Sequence, residues 1–94
     1  MIRAICLNVE DNVATLVDPG RRGDQVTLGA ENAVSLVLVG EVGYGHKVAI
    51  RDIASGDSIL KYGKVIGQAT QRIEKGEHVH VHNVEALRGR GDKK

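Results

Sequence analysis

The sequence is poor in aromatic, cysteine and proline residues. It contains no phenylalanine or tryptophan, and only two tyrosines, one cysteine and one proline among its 94 residues. A core without large aromatic rings must be built from aliphatic side chains. The single cysteine, Cys6, excludes an intramolecular disulfide and favours a reducing compartment. The chain is therefore expected to be one small domain that folds without disulfide bonds.

Long hydrophobic segments and a strong charge of either sign are also missing. The longest apolar run, VSLVLVG at residues 34–40, is far shorter than the roughly 20 residues that cross a bilayer. The N-terminus lacks the pattern of a secretory signal peptide. The formal net charge is +1, without the basic surplus typical of nucleic-acid-binding domains. We therefore expect a cytoplasmic protein that binds neither membranes nor nucleic acids.

Valine and glycine are abundant instead. Valine is more frequent than leucine or isoleucine, and β-branched residues favour strands. Four stretches, GDQV, GHKV, GDSI and GEHV, share a glycine, a polar residue, any residue and then Val or Ile. Each predicts a turn that begins a strand, because glycine adopts the positive φ that other residues resist. The pattern predicts an all-β domain of about seven short strands linked by glycine turns.

Two segments predict one or two short helical turns within this mainly β domain. Asp11 is placed to cap a helix over residues 12–17, although the β-branched residues there favour a strand equally. Residues 50–57 predict one helical turn closed by a glycine. The domain is expected to span residues 1–84, and residues 85–94 (EALRGRGDKK) are expected to form a flexible charged tail.

Three of the four histidines stand at alternate positions in the stretch GEHVHVHNV. If this stretch is one strand, His78, His80 and His82 share a face, while Val79 and Val81 point to the core. Same-face neighbours lie about 6.6 Å apart, so two imidazoles can converge on one divalent ion at roughly 2.0–2.1 Å each. His80 and His82 are the favoured pair, because His78 lies closer to a turn and is expected to be surface.

The fourth histidine, His46 in GYGHK, follows two glycines that would let the backbone approach a ligand closely. If His46 meets His80 and His82 in space, the site has three imidazoles. The alternative is that all of these histidines are ordinary polar surface. The sequence alone leaves both interpretations open.

A second notable stretch is KYGKVIGQAT at residues 61–70. Lys61, Tyr62 and Lys64 place ammonium and phenol groups beside glycines, and a lysine ammonium suits a carboxylate or phosphate. The alternative is that both lysines are solvated and that Tyr62 packs in the core with its hydroxyl at the edge. Composition does not decide between these interpretations.

Three blocks together resemble a known family. They are DNVAT at residues 11–15, GHKVAIRDIASGDSILKYGKVIGQAT at 45–70, and GEHVHVHNVEALRGRGD at 76–92. These blocks resemble the SAF-type domain of the altronate dehydratase family, which includes galactarate dehydratase and sulfolactate sulfo-lyase. The resemblance implies a β-clip fold, in agreement with the strand-rich pattern.

The resemblance also implies a function and a partner. In long members the domain is the N-terminal part of one polypeptide, and in split members it is a small subunit beside a large catalytic subunit. This chain looks like the small subunit of a hetero-oligomer that acts on a hydroxy acid. An altronate-type dehydratase, which eliminates water, is slightly favoured over a sulfolactate sulfo-lyase, which eliminates sulfite. The other candidates are a non-catalytic binding module and a free-standing homo-oligomer.

Members of the family that dehydrate sugar acids are similar in needing a divalent metal, commonly Fe²⁺, with Mn²⁺ and Mg²⁺ as alternatives. The resemblance implies that His80 and His82 bind this metal. Elimination also needs a base, an acid and a group that holds the carboxylate. The side chains expected in these catalytic and substrate-binding roles are His46 for proton transfer, Lys47 and Lys61 for the carboxylate, Tyr62 as proton donor and Asn83 to orient an oxygen.

Overall fold

The protein folds almost entirely into short strands. The computed structural model describes residues 2–6, 10–28 and 34–86, and no helix occurs among them. The all-β prediction is therefore confirmed. The strands are β1 (Ile2–Ile5), β2 (Val13–Leu16), β3 (Gln25–Leu28), β4 (Val34–Val37), β5 (Lys47–Ala49), β6 (Ser58–Lys61), β7 (Lys64–Ala69), β8 (His78–Val79) and β9 (Val84–Ala86).

The strands form two sheets. The larger sheet has the order β4-β3-β1-β2-β5-β8, and the smaller sheet has the order β6-β7-β9. The β1–β3 pair is parallel, and the other pairs are antiparallel. The order places β5 and β8 side by side at one edge of the larger sheet, so two strands distant in sequence meet there.

The core consists of two aliphatic clusters that share strands β2 and β5. Ala14 and Val48 belong to the first cluster, while their neighbours Val13 and Ala49 belong to the second. Successive side chains of a strand point to opposite faces, so both faces of β2 and β5 are buried. Packing on both faces holds β5 in place, and with it His46 at its start.

Of the helix and the strand left open for residues 12–17, the strand is confirmed, because this segment forms β2. Asp11 does satisfy free amide groups, as the sequence suggested, but they belong to a distant turn. Its buried carboxylate accepts hydrogen bonds from the N–H groups of Tyr62 (2.8 Å) and Gly63 (2.7 Å). The carboxylate therefore joins the start of β2 to the turn between β6 and β7.

The helical turn predicted at residues 50–57 is wrong. Ile53 forms an antiparallel bridge with Ile73, with both N···O distances at 2.8 Å. Both isoleucine side chains are buried in the second core cluster. An extended bridge that buries two large aliphatic side chains replaces the single turn of helix, which would have little packing to stabilise it.

The histidine-rich segment is not one continuous strand. Strand β8 ends at Val79, and residues 81–83 form a turn. Val79 is fully buried as predicted, whereas Val81 is 80% exposed, so its predicted place in the core is wrong. The cause is Asn83, whose buried side chain accepts a hydrogen bond from the His80 N–H (3.0 Å) and donates one to the His78 carbonyl (2.9 Å).

Replacing Asn83 by alanine is expected to lower the free energy of unfolding by about 2–3 kcal/mol, because two backbone groups lose their partner in a buried site. Val81→Ala in the same turn is the control and should change stability by less than about 0.5 kcal/mol. Urea unfolding of the two variants measures this difference. Equal stabilities would show that the turn forms without the Asn83 amide.

The C-terminal boundary differs slightly from the predicted one. Glu85 and Ala86, placed by the sequence in the tail, belong to β9 and pair with β7. The rest of the predicted tail, residues 87–94, lies outside the described residues. A search of the described residues finds no helix with the length and hydrophobicity that a membrane crossing requires.

Candidate functional site

Three histidine side chains converge at the edge of the larger sheet. His46 Nδ1 lies 2.8 Å from His78 Nε2, and the centroids of these two rings are 4.9 Å apart. The His80 ring lies 5.2 Å from that of His46 and 5.3 Å from that of His78. Each ring offers one nitrogen to a group in which all three nitrogens lie within 4.8 Å of one another.

The pairing of β5 with β8 creates this cluster. Lys47 pairs with Val79 and Val48 pairs with His78, so extending the register by one step sets His46 opposite His80. Directly opposite side chains on an antiparallel pair have neighbouring Cβ atoms. The distant histidine and the histidine-rich segment are therefore brought together by strand register rather than by closeness in sequence.

His78 is the site residue that the sequence interpretation missed. It was expected to be surface, but it is half-buried and contacts both other rings. Its ring is also 5.5 Å from that of His82, which lies in the turn and is not part of the three-nitrogen group. The alternation of His78 with His80 was the available signal, because it already placed both side chains on one face.

The three imidazoles fit a divalent transition metal. Two nitrogens bound at about 2.1 Å and at right angles would lie about 3.0 Å apart, close to the His46–His78 separation. Imidazole ligands suit iron and zinc, whereas Mg²⁺ and Mn²⁺ prefer oxygen ligands. The group in the described residues contains no carboxylate. Its donor chemistry therefore fits Fe²⁺ better than Mg²⁺ or Mn²⁺.

The electrostatic surroundings of His78 disfavour its protonation. Burial lowers the pKa of His78 below its usual value, and the charges of His46, His80, His82 and Lys47 lower it further. A neutral imidazole has a free electron pair for either a hydrogen bond or a metal ion. The cluster thus keeps His78 in the form that binds metals.

The lowered pKa of His78 predicts an effect of pH on stability. As pH falls through about 6.5, the unfolded chain takes up protons at this position before the folded chain does. The metal-free protein should therefore lose stability as pH falls below this value. Melting temperatures in a chelator at several pH values test this, and His78→Gln should reduce the dependence. An unchanged dependence in that variant would contradict the assignment.

Lys47 directly follows His46 in the chain and begins β5, and Lys61 ends β6. Lys47 is half-buried, and burial lowers its pKa, with the nearby charge of Lys61 lowering it further. The Lys61 ammonium lies 5.0 Å from the centre of the Tyr62 ring. No carboxylate pairs with either lysine in the described part of the chain. The two cations are therefore available to an anion.

A cleft of about 220 Å³ lies beside Lys47 and His80, and neither Lys61 nor Tyr62 lines it. Its walls combine apolar side chains with one lysine and one histidine: Lys47, Ile66, His80, Val81, Val84 and Ala86. Tyr62 is 48% exposed. Asn83 is different, because it is fully buried and its amide is used by the turn. The Asn83 side chain therefore has no accessible atom for its predicted contact with a substrate oxygen.

The fold and these side chains define a small β domain with a candidate site for a metal ion and an anion. Comparison with protein families matches residues 2–87 to the altronate/galactarate dehydratase SAF domain. The match covers most of the chain, so the chain belongs to this SAF-domain family. The resemblance seen in the sequence is thereby confirmed.

Individual relatives carry the names of two kinds of lyase. The chain is 35% identical over 85 residues to the (2R)-sulfolactate sulfo-lyase subunit alpha of Chromohalobacter salexigens, covering 86% of this chain and 90% of that subunit. It is 38% identical over 79 residues to the altronate dehydratase of Bacillus subtilis, covering 84% of this chain but 15% of that enzyme. A third relative, the galactarate dehydratase of Escherichia coli, is 35% identical over 69 residues, or 12% of its length.

Proposed function

We propose that this chain acts as the SAF subunit of a lyase that dehydrates a sugar acid together with a large catalytic subunit. The observation that carries the proposal is the convergence of His46, His78 and His80 beside a cleft that also holds Lys47. This arrangement combines candidate metal ligands with a cation for a carboxylate. A hydroxylated acid presents both kinds of group to bind.

Different residues would carry out different parts of the elimination. His46, His78 and His80 would hold a divalent ion, which when bound supplies a Lewis acid for the substrate oxygens. Lys47 and Lys61 would bind the carboxylate and stabilise the negative charge that develops when the α-proton leaves. Tyr62 would donate its hydroxyl proton to the departing oxygen. His82, which the sequence suggested as a ligand, would not bind the ion in this arrangement, because it contacts the His78 ring but lies outside the three-nitrogen group.

A partner subunit is part of the proposal for two reasons. The cleft of about 220 Å³ is smaller than the roughly 300–1,000 Å³ of a usual small-molecule pocket. In addition, the sulfo-lyase relative is named as a subunit. The large chain would close the site and supply the base that removes the α-proton. The small chain alone is therefore expected to show little or no activity.

The second candidate reaction is the elimination of sulfite from a sulfonated hydroxy acid. The alignment with nearly the whole sulfo-lyase alpha subunit favours it. The matches to two dehydratases favour water as the leaving group. Sulfite leaves without being protonated, whereas hydroxide needs a proton. Loss of water would therefore require the Tyr62 proton, whereas loss of sulfite would not.

Co-expression with a candidate large subunit, followed by a substrate panel, tests the proposal. The panel contains aldonic, aldaric and sulfonated hydroxy acids, with 2-oxo acid and sulfite as the measured products, and bound metal is analysed. We expect turnover only in the assembled complex. An assembled complex that turns over normally with His46→Ala and His78→Ala together would favour a non-catalytic module instead. Lys75→Ala, an exposed lysine that does not line the cleft, is the control.

Tyr62→Phe separates the two leaving groups. In a dehydratase it should lower kcat by about 10²-fold or more, because general acid catalysis contributes about this much. In a sulfo-lyase it should have little effect on the release of sulfite. Steady-state kinetics of the assembled complex give the answer. A dehydratase that keeps full kcat in Tyr62→Phe would refute the role of Tyr62 as proton donor.

A further inference from the structure

Asn83 holds the backbone of two of the candidate metal ligands. Its side chain is fully buried, and Oδ1 accepts a hydrogen bond from the His80 N–H (3.0 Å) while Nδ2 donates one to the His78 carbonyl (2.9 Å). The Asn83 N–H also donates to the His80 carbonyl (3.0 Å), and the Asn83 carbonyl accepts from the N–H of Thr70 (2.9 Å), just after β7. Asn83 therefore links the backbone of both histidines to the end of a strand in the smaller sheet.

His80 depends on these bonds more than His78 does. The pairing of β8 with β5 covers His78 and Val79, so His80 lies beyond the last strand pair. Both hydrogen-bonding groups of the His80 backbone, the N–H and the carbonyl, bond to Asn83 instead. The His80 ring nevertheless lies 5.2 Å from the His46 ring and 5.3 Å from the His78 ring, on which it stacks at an interplanar angle of 12°. The place of His80 in the cluster is thus set by Asn83 rather than by strand pairing.

The side chains at the tip of this turn do not pack in the core. Residues 80–82 are exposed, and Val81 is 80% exposed. A buried amide is unfavourable unless its hydrogen bonds are made, and here they are made to a turn that buries no apolar side chain of its own. What the turn contributes is the His80 ring, which offers one nitrogen to the three-nitrogen group. The bonds of Asn83 therefore serve the histidine cluster.

We propose that Asn83 is a positioning residue of the histidine cluster. Its buried amide fixes the backbone of His78 and His80 so that their imidazole nitrogens converge with that of His46. Asn83 itself touches neither metal nor substrate, because its side chain is buried and both its oxygen and its nitrogen bond to the turn. That the converged nitrogens bind a metal ion rests on the proposed function, whereas the placement of the rings by Asn83 does not depend on it.

Asn12 provides a closely matched control. It is also a buried asparagine, and its side chain likewise accepts a hydrogen bond from one backbone N–H, that of Leu60 (2.7 Å), and donates one to a backbone carbonyl, that of Ser58 (2.9 Å). The Asn12 carbonyl accepts from the N–H of Ile50, which follows the end of β5, whereas His46 precedes its start. Asn12→Ala thus removes the same two kinds of hydrogen bond at the other end of β5 from the histidines.

The first test is the affinity of the full chain for Zn²⁺, measured by calorimetric titration with Zn²⁺ alone. We expect Asn83→Ala to weaken binding by about 10–100-fold, the usual cost of losing a residue that orients a metal ligand. Asn12→Ala should stay within about threefold of the unchanged chain, because distant substitutions act independently. Urea unfolding should show a comparable loss of stability in both variants. A folded Asn83→Ala protein with unchanged affinity, or an equal loss of affinity in the two variants, would overturn the proposal.

Contacts between the rings provide a spectroscopic test without metal. In the unchanged metal-free chain, NMR should show nuclear Overhauser effects between the His78 and His80 rings and between the His46 and His78 rings. Asn83→Ala should lose the His78–His80 contact and keep the His46–His78 contact, because β8 still pairs with β5. Asn12→Ala should keep both. A folded Asn83→Ala protein in which the His78–His80 contact persists would refute the positioning role.

Hydrogen exchange in the unchanged chain provides a test that needs no substitution. Zn²⁺ should slow the exchange of the His80 amide at least as much as that of the Leu60 amide, which bonds to Asn12 in the same way, because the ion and the turn stabilise each other. Bound Zn²⁺ with a smaller effect at His80 than at Leu60 would count against the proposal. A chain that binds no Zn²⁺, but whose Asn83→Ala variant loses the His78–His80 contact, would support the positioning role and refute only the metal site of the proposed function.

Discussion

Replacing His78 by alanine is expected to weaken the binding of a divalent metal ion by about 100-fold or more. His78 offers one of three converging nitrogens, and it also contacts His46 Nδ1 at 2.8 Å. The substitution therefore removes one of the three ligands. Losing only a side chain that orients a ligand already costs about 10–100-fold in metal affinity, so losing a ligand itself should cost at least as much.

His82→Ala is the matched control for this prediction. Its ring lies 5.5 Å from that of His78, only slightly farther than the other two rings, yet its nitrogen is outside the three-nitrogen group. We expect its affinity for metal to stay within about threefold of the unchanged chain. Calorimetric titration with Zn²⁺, and with Fe²⁺ under anaerobic conditions, measures both variants. A large loss in His82→Ala with none in His78→Ala would instead support the His80–His82 pair predicted from the sequence.

Replacing Gly76 by alanine is expected to have the largest effect on stability. Gly76 has a φ of 92°, and a Cβ atom there would collide with the backbone carbonyl of Val37. A backbone obstacle cannot rotate away as a side chain can. The Gly76 N–H also bonds Ala49, and its carbonyl accepts from Val39. We expect a loss of about 4 kcal/mol or more, which is enough to unfold many domains of this size.

Gly23→Ala separates the collision from the cost of the backbone angle. Gly23 has nearly the same φ, 91°, but a Cβ atom there would meet nothing within 4 Å. Its substitution should cost only about 1–2 kcal/mol, the cost of a left-handed conformation in a residue with a side chain. Urea unfolding of the two variants compares them directly. Equal losses would mean that the region around Val37 adapts and that Gly76 is not a fixed contact.

The sequence predicted the class of fold because its main signals are local. Valine favours strands and glycine favours turns as single residues, and these preferences predicted the all-β fold that the strands confirm. The same local reasoning failed at Asp11. A carboxylate satisfies free N–H groups equally well in a helix cap or in a distant turn, and only the folded chain shows that the partners are Tyr62 and Gly63.

The candidate site was harder to predict than the fold. Alternation placed His78, His80 and His82 on one face, but the strand ends early because Asn83 bonds to its own turn. Which histidine meets His46 depends on the register of β5 and β8, two strands about 30 residues apart in sequence. Register between distant strands follows from packing of the whole domain, so the histidine-rich segment alone did not show which of its side chains meet His46.

The proposed function has His46, His78 and His80 of this chain holding a metal ion at a reaction centre shared with a large subunit. Anomalous scattering from crystals of the metal-loaded, assembled complex tests this arrangement most directly. We expect a metal peak at about 2.0–2.3 Å from one nitrogen of each of these three histidines, facing the partner chain. A metal ion ligated wholly by the large subunit, with these three rings turned away from it, would contradict the proposal.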